Sequence, residues 1–255
     1  MKIQIESKFL DILHHVVSPQ KPTLVFLHEG LGCIDMWRGF PERVANATGC
    51  NLLVFSRLGY GKSDPIELPR PVRYMHHEGL ETLPKLLNEL NIGRHILIGH
   101  SDGGSIALIN GGGVQSDHLM GIVTLAAHVF NEPLTIKSIE AVKEVYKTTN
   151  LGARMGKYHN DPDHTFWGWN DIWLHPEFKH WNIEAFLPTI QVPTLVIQGL
   201  DDQYGTLAQV DAILKGIGAL AEKQLIPECK HSPHLEQPDV TLELITGFVN
   251  RLLEQ

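Results

Sequence analysis

The sequence predicts an α/β protein built on a mostly parallel sheet with helices on both faces. Three observations carry this. Apolar runs of strand length recur at 23–27, 51–55, 95–99, 119–127 and 193–199. Segments with apolar residues at helical spacing lie between several of them, and strand–helix–strand order implies parallel pairing through crossovers. The third is Gly99-His100-Ser101-Asp102-Gly103, placed where one apolar run ends and a helix-like run, 105–109, begins.

In order, residues 3–5 and roughly 14–17 read as edge strands, with a turn over 18–22. Thr23 to Leu27 is wholly apolar after its first residue, as expected of a strand buried on both faces. It ends in His28-Glu29-Gly30-Leu31-Gly32, a turn into a helix expected over 35–47. The strand at 51–55 runs into Ser56-Arg57-Leu58-Gly59-Tyr60-Gly61-Lys62-Ser63-Asp64. Asp64-Pro65 and Pro69-Arg70-Pro71 open no helix, so these glycines have no helix N-terminus with which to hold phosphate, and Arg57 is expected to be ion-paired in a structural loop. Leu80, Leu83, Leu86, Leu87 and Leu90 place a crossover helix over 78–90. From 131 to 188 strand alternation disappears, and this stretch holds Trp167, Trp169, Trp173 and Trp181. The sheet resumes at 193–199, a last strand is expected at 223–227, and a helix at 238–253 closes the chain.

At 255 residues the chain suits one large α/β domain with an insertion. A net charge of −8 without a basic run argues against a nucleic-acid partner. The N-terminus lacks the apolar core of a secretory signal, and no stretch free of charges approaches membrane-spanning length. Cys33, Cys50 and Cys229 are scattered without metal-like spacing and read as free thiols, pointing to a cytoplasmic protein. His159, Asp161, Asp163 and His164 lie close together, but Pro162 suits a turn better than a ligand set, so no metal is expected.

The chemistry centres on Ser101. A strand that turns directly into a helix strains its apex residue and pushes that side chain out at the top of the sheet, beside free helix N–H groups. Flanking glycines keep Cβ atoms out of the crossing. With this context the sequence resembles the α/β-hydrolase family, in which such a turn is the nucleophile elbow. The resemblance implies an approximately eight-stranded sheet, with core segments at 1–130 and 189–255 and a helical cap inserted at 131–188. It implies Ser101 as nucleophile and His231 as base, in the loop Glu228-Cys229-Lys230-His231-Ser232-Pro233-His234, with His234 placed at the helix start. The family's Gly-x-x-Asp turn selects Asp202 as the acid, with Asp201 as runner-up. The oxyanion hole would use the Asp102 N–H and one from Gly30 or Leu31, although Glu29 and Lys230 stand where the family commonly has Gly. Glu29, His100, His128, Trp167, Trp169 and Trp173 are candidate pocket residues, a tryptophan-rich cap suiting an apolar or aromatic substrate. No cofactor and no membrane partner is implied, and pairing into a homodimer is left open because such caps sometimes pair.

The expected activity is cleavage of a carboxylic ester, thioester or lactone of a small substrate through an acyl-enzyme. Ser101 stands where dehalogenases and epoxide hydrolases of the family carry Asp, which argues against both. Carbon–carbon bond hydrolases share the three residue types but often carry Trp soon after the histidine, where this chain has Ser232-Pro233-His234-Leu235. They remain an alternative, as does a relative that only binds its ligand.

Overall fold

The computed structural model describes residues 1–254; Gln255, the last residue of the expected core segment, lies outside them. Eight strands form one sheet: β1 (Lys2–Ile5), β2 (Lys8–His15), β3 (Thr23–Leu27), β4 (Asn51–Ser56), β5 (His95–His100), β6 (Leu119–Leu125), β7 (Thr194–Gly199) and β8 (Ala221–Ile226). Their spatial order is β1-β2-β4-β3-β5-β6-β7-β8. β1 and β2 pair antiparallel, as do β2 and β4, and the remaining pairs are parallel.

β3, β4 and β5 are buried along their whole length because each face feeds a different core. Val25, Leu27, Leu53, Phe55 and Leu97 face one cluster, while Leu24, Phe26, Leu52, Val54, Ile96 and Ile98 face the other. The second cluster is closed by α1 (Phe40–Thr48) and by a long C-terminal helix that contributes Ile245, Phe248 and Val249. The first is closed by α2 (Tyr74–His77), α3 (Leu83–Glu89) and α4 (Asp102–Gly113). Fully burying one such Leu, Ile or Phe contributes about 1.5–3 kcal/mol, so the two-sided strands anchor the molecule.

Several boundaries differ from the sequence expectation. The second strand is Lys8–His15 rather than 14–17, because the Glu6-Ser7 turn pairs Ile5 with Lys8 and directs Leu10 and Ile12 into the core. The helix expected over 35–47 is split into a 3₁₀ turn, Ile34–Trp37, and α1. Arg38 (φ 52°) and Gly39 (φ 77°) break it, and Pro41 then enters near the new start, where its missing N–H is harmless. The crossover helix begins at Tyr74 and widens to a π-type turn over Glu78–Thr82, just before Pro84, whose ring disfavours a regular ladder to Leu80. β8 starts two residues earlier than expected, and Pro227 lies beyond its end.

Between β6 and β7 the chain is helical: α5 (Pro133–Thr148), α6 (Leu151–Met155) and α7 (Pro162–Trp173), followed by 3₁₀ turns at Pro176–His180 and Glu184–Thr189. Tyr146 of α5 stacks on Phe166 of α7 at 3.7 Å between ring centroids. An isolated bridge between Phe130 and Asn182 draws the ends of the segment together. After β7 come α8 (Leu207–Ile217), α9 (Pro233–Glu236) and α10 (Pro238–Leu253). Among the described residues no helix is long and apolar enough to cross a membrane.

The crossing of β5 and α4 admits no side chain. A Cβ on Gly103 would lie 2.0 Å from the Leu27 carbonyl oxygen, and one on Gly99 would lie 2.2 Å from the Gly103 oxygen. Gly103→Ala is therefore expected to destabilise by about 3 kcal/mol, at the upper end for overpacking, because backbone rather than a side chain must move. A urea midpoint equal to that of the wild type would contradict this.

Candidate active site

Ser101 joins β5 to α4 with φ 52° and ψ −116°. A non-glycine residue in that region stores about 1–3 kcal/mol of strain, maintained here by the surrounding packing. The Ser101 N–H donates to the Leu125 carbonyl at 2.8 Å and the Ser105 N–H to that of Ser101 at 3.0 Å, which fixes the turn at the carboxyl end of β5. The Oγ hydrogen bonds to Nε2 of His231 at 3.0 Å. Nδ1 of His231 lies 2.9 Å from both carboxylate oxygens of Asp202. Nδ1 must carry the proton to donate there, which leaves Nε2 bare to accept from the serine hydroxyl.

Asp202, not Asp201, meets the imidazole. It also accepts from the Tyr204 N–H at 2.7 Å and from Nε2 of Gln198 at 2.6 Å, and only 1% of its side chain is exposed. Burial pushes its carboxyl up, but the hydrogen bond and charge of His231, and then the Tyr204 N–H, outweigh this and hold it below the usual carboxylate value. Asp201 points to solvent, while its N–H donates to the Cys229 carbonyl. The acid's loop is bolted to α5: the Thr135 hydroxyl donates to the Tyr204 carbonyl at 2.5 Å, and that of Ser138 donates to the Gln203 carbonyl at 2.5 Å.

The turn after β3 approaches the serine from the other side. Among the described residues the N–H groups of Gly30, Leu31 and Asp102 meet no protein acceptor. Arg57, expected from the sequence to be ion-paired in a structural loop, sits beneath this turn. It is fully buried, donates to the Glu29 carbonyl at 2.8 Å, and lies 3.7 Å from the Asp102 carboxylate. Tyr74 donates to the same carboxylate at 2.7 Å. The carboxylate of Asp102 is thus engaged by Tyr74 and Arg57, while its N–H meets no backbone acceptor among the described residues.

A cavity of about 290 Å³ opens over Ser101. Of the residues singled out in the sequence, Glu29, Gly30, Leu31, His100, Asp102, His128, Trp169, Trp173 and His231 border it. Trp167 does not: it packs against Tyr146 and Phe166, with Lys143 over its ring. On α7, positions 169 and 173 are one turn apart and share a face, whereas 167 lies roughly 200° from 169. The same spacing would have found Thr135 and Ile139 on α5, which also border the cavity. Gln203, Tyr204 and Ser232 were missed too, although each adjoins Asp202 or His231 or lies two residues from it. Trp169 closes against Gly30, where a Cβ would lie 2.1 Å from its indole nitrogen.

Other expected features have local roles. His234 is the second residue of α9 and packs on Trp37, with centroids 4.6 Å apart. Asp161 caps α7 by accepting from the His164 N–H, Asp163 accepts from the Tyr146 hydroxyl, and His159 bridges the Gly61 N–H and the Leu31 carbonyl. Cys33, Cys50 and Cys229 are free and buried.

A strained serine at a strand-to-helix turn, faced by an imidazole and a carboxylate from two later loops, is the arrangement of hydrolases built on an α/β sheet. The chain belongs to the alpha/beta hydrolase family, which it matches over residues 24–244. It is 23% identical to a proline iminopeptidase from Lactobacillus helveticus, with 91% of each chain covered. It is 25% identical to the serine hydrolase BPHL from Mus musculus, over 78% of this chain and 69% of that one. Among solved structures, a carboxylesterase from Nitrososphaera gargenis superposes with a TM-score of 0.81 at 16% identity, covering 100% of this chain and 99% of that one, a likeness of fold.

Proposed function

We propose that the protein is a serine hydrolase that cleaves a carboxylic ester of a small, partly apolar or aromatic acid through an acyl-enzyme. The observation that carries this reading is the unbroken line from Ser101 Oγ through His231 to Asp202 at the floor of the cavity. Nε2 of His231 takes the hydroxyl proton as Oγ bonds to the acyl carbon, and the carbonyl oxygen becomes an oxyanion. The Asp102 N–H, with that of Gly30 or Leu31, stabilises this charge, each donor being worth roughly 3–4 kcal/mol in the transition state. Nε2–H then protonates the leaving alkoxide as its bond to the acyl carbon breaks. A water molecule, deprotonated by the same imidazole, releases the acid.

Residues 131–188 act as the cap, and 1–130 with 189–255 as the core. Thr135, Ile139, Trp169 and Trp173 supply the apolar side of the cavity. Its volume lies at the small end for ligand pockets, which favours a short acyl group. The free thiols suit a cytoplasmic setting.

The test pairs a fluorophosphonate with p-nitrophenyl esters of increasing acyl length. The expected result is labelling of Ser101 and turnover of acetyl and butyryl esters well above that of the decanoyl ester. Labelling without ester turnover would point to a specialised bond, and no labelling would favour a binding protein. Similarity to an iminopeptidase supports a second reading, removal of an N-terminal residue. Prolyl-p-nitroanilide tests it in the same assay.

A further inference from the structure

Glu29 and His100 border the cavity beside Ser101, yet neither belongs to the proton path that ends at Asp202. His100 is 1% exposed, and its Nε2 lies 2.8 Å from the main-chain oxygen of His231. A carbonyl only accepts, so this nitrogen carries a proton. Nδ1 makes no hydrogen bond among the described residues but faces Oε2 of Glu29 at 3.4 Å, an ion-pair distance at which the contact is attractive only when Nδ1 carries a proton as well.

His231 stands in a bend outside any strand or helix, and among the described residues its carbonyl accepts from no backbone N–H. The N–H groups on either side, of Lys230 and Ser232, are held by the Glu236 carboxylate at 2.7 and 3.0 Å. Among the described residues the carbonyl of His231 is held by His100 alone. The His100 ring is itself hemmed in by His231, His234 and Trp37, with centroids at 5.2, 4.8 and 6.3 Å, and by Glu29 at its far nitrogen.

We propose that Glu29 and His100 form a second carboxylate–imidazole couple that positions the base. Glu29 sets the ring of His100, and His100 Nε2–H holds the main chain of His231 so that its imidazole stays on Ser101. Both are positioning residues, and the inference rests on the serine hydrolase reading above. Asp202 orients the side chain of His231 and His100 its backbone, so the base is fixed at both ends. Without the second hold the bend can drift, and a displacement of about 1 Å at a reacting group costs on the order of 100-fold in rate.

The experiment compares His100→Leu, which keeps bulk but loses the donor, with His100→Gln, which restores an N–H at similar reach. Glu29→Leu and Glu29→Gln are measured alongside, and Ser101→Ala serves as reference, all with p-nitrophenyl acetate. His100→Leu is expected to lower kcat roughly 30- to 100-fold with KM within about twofold, and to slow fluorophosphonate labelling in parallel. His100→Gln recovers most of this loss, and Glu29→Leu loses more than Glu29→Gln. Unfolding temperatures report folding, and if His100→Leu fails to fold, the two Glu29 variants and His100→Gln decide the matter. Wild-type kcat in His100→Leu, equal losses in Leu and Gln variants, or a loss confined to KM would overturn the proposal while Ser101→Ala stays inactive. Activity retained by Ser101→Ala would instead overturn the hydrolase reading itself, and this one with it.

Discussion

Replacing Ser101 with alanine is expected to lower kcat toward a turned-over p-nitrophenyl ester by roughly 10⁴- to 10⁶-fold, with the fold intact. The hydroxyl is the only group at the apex of the β5–α4 turn that can form an acyl-enzyme, and removing the nucleophile of such a set costs nearly as much as removing all of it. Residual rate would come from the oxyanion donors and from binding. Folding should be unaffected for three reasons. Among the described residues the Oγ bonds only to His231, the residue is buried, and alanine keeps the Cβ and hence the same backbone strain. Stability should stay within about 1 kcal/mol of the wild type, the scale of one net hydrogen bond. Activity within tenfold of the wild type, with equal unfolding curves, would mean that the line to Asp202 is not the catalytic one.

The second large effect is acid sensitivity. Stability is expected to fall steeply as pH drops from about 6.5 toward 4. His28, His95, His128, His159 and His234 are buried, and burial is the foremost cause that pushes each below the ordinary imidazole value, His234 to about 3. For His28 and His159 the hydrogen bonds give a second reason. Nε2 of His28 accepts from the Arg57 N–H at 3.0 Å, and Nδ1 of His159 accepts from the Gly61 N–H at 2.9 Å, so neither ring can take a second proton without losing a bond. The unfolded chain binds protons at these rings near pH 6.5, whereas the native chain does so only at lower pH. The stability they contribute is complete above 6.5 and is lost as pH falls toward the folded values. Glu78, raised by burial, works in the opposite direction, but it is one group against five. Asp202, lowered, adds a loss only below the ordinary carboxylate range. Each histidine contributes a slope of up to about 1.4 kcal/mol per pH unit. His234→Phe, packed against Trp37, Phe40 and the ring of His100, should flatten the urea-unfolding profile by about that much. A wild-type profile level between pH 7 and 5 would refute this account.

What could be read in advance follows the range of the forces involved. β3 is bounded by Pro22 and the His28-Glu29-Gly30 turn and has no polar residue beyond Thr23, so its limits are visible locally. β2 is different: Phe9-Leu10-Asp11-Ile12-Leu13 becomes a strand through pairing with β1 and β4, and its register follows from those partners. Pro238 marks the start of α10, whereas the wide turn over Glu78–Thr82 depends on how one proline is accommodated by a helix packed on the core. At the site, Ser101 was legible because its strain arises within five residues. Glu29 and His100 could be named from sequence only as candidate pocket residues; that they face each other at 3.4 Å follows from the pairing of β3 with β5.

The chain by itself determined a mostly parallel sheet with helices on both faces, a serine forced outward at a strand-to-helix turn, and a helical, tryptophan-rich stretch between β6 and β7. These follow from periodicity and from the steric demands of glycine and proline, which act over a few residues. Only the folded chain decided that Asp202 rather than Asp201 meets His231, and that Trp169 and Trp173 but not Trp167 border the cavity. It alone placed Arg57 beneath the turn of Gly30. Each of these is a contact between segments tens of residues apart, set by sheet register and helix rotation, which no local pattern encodes.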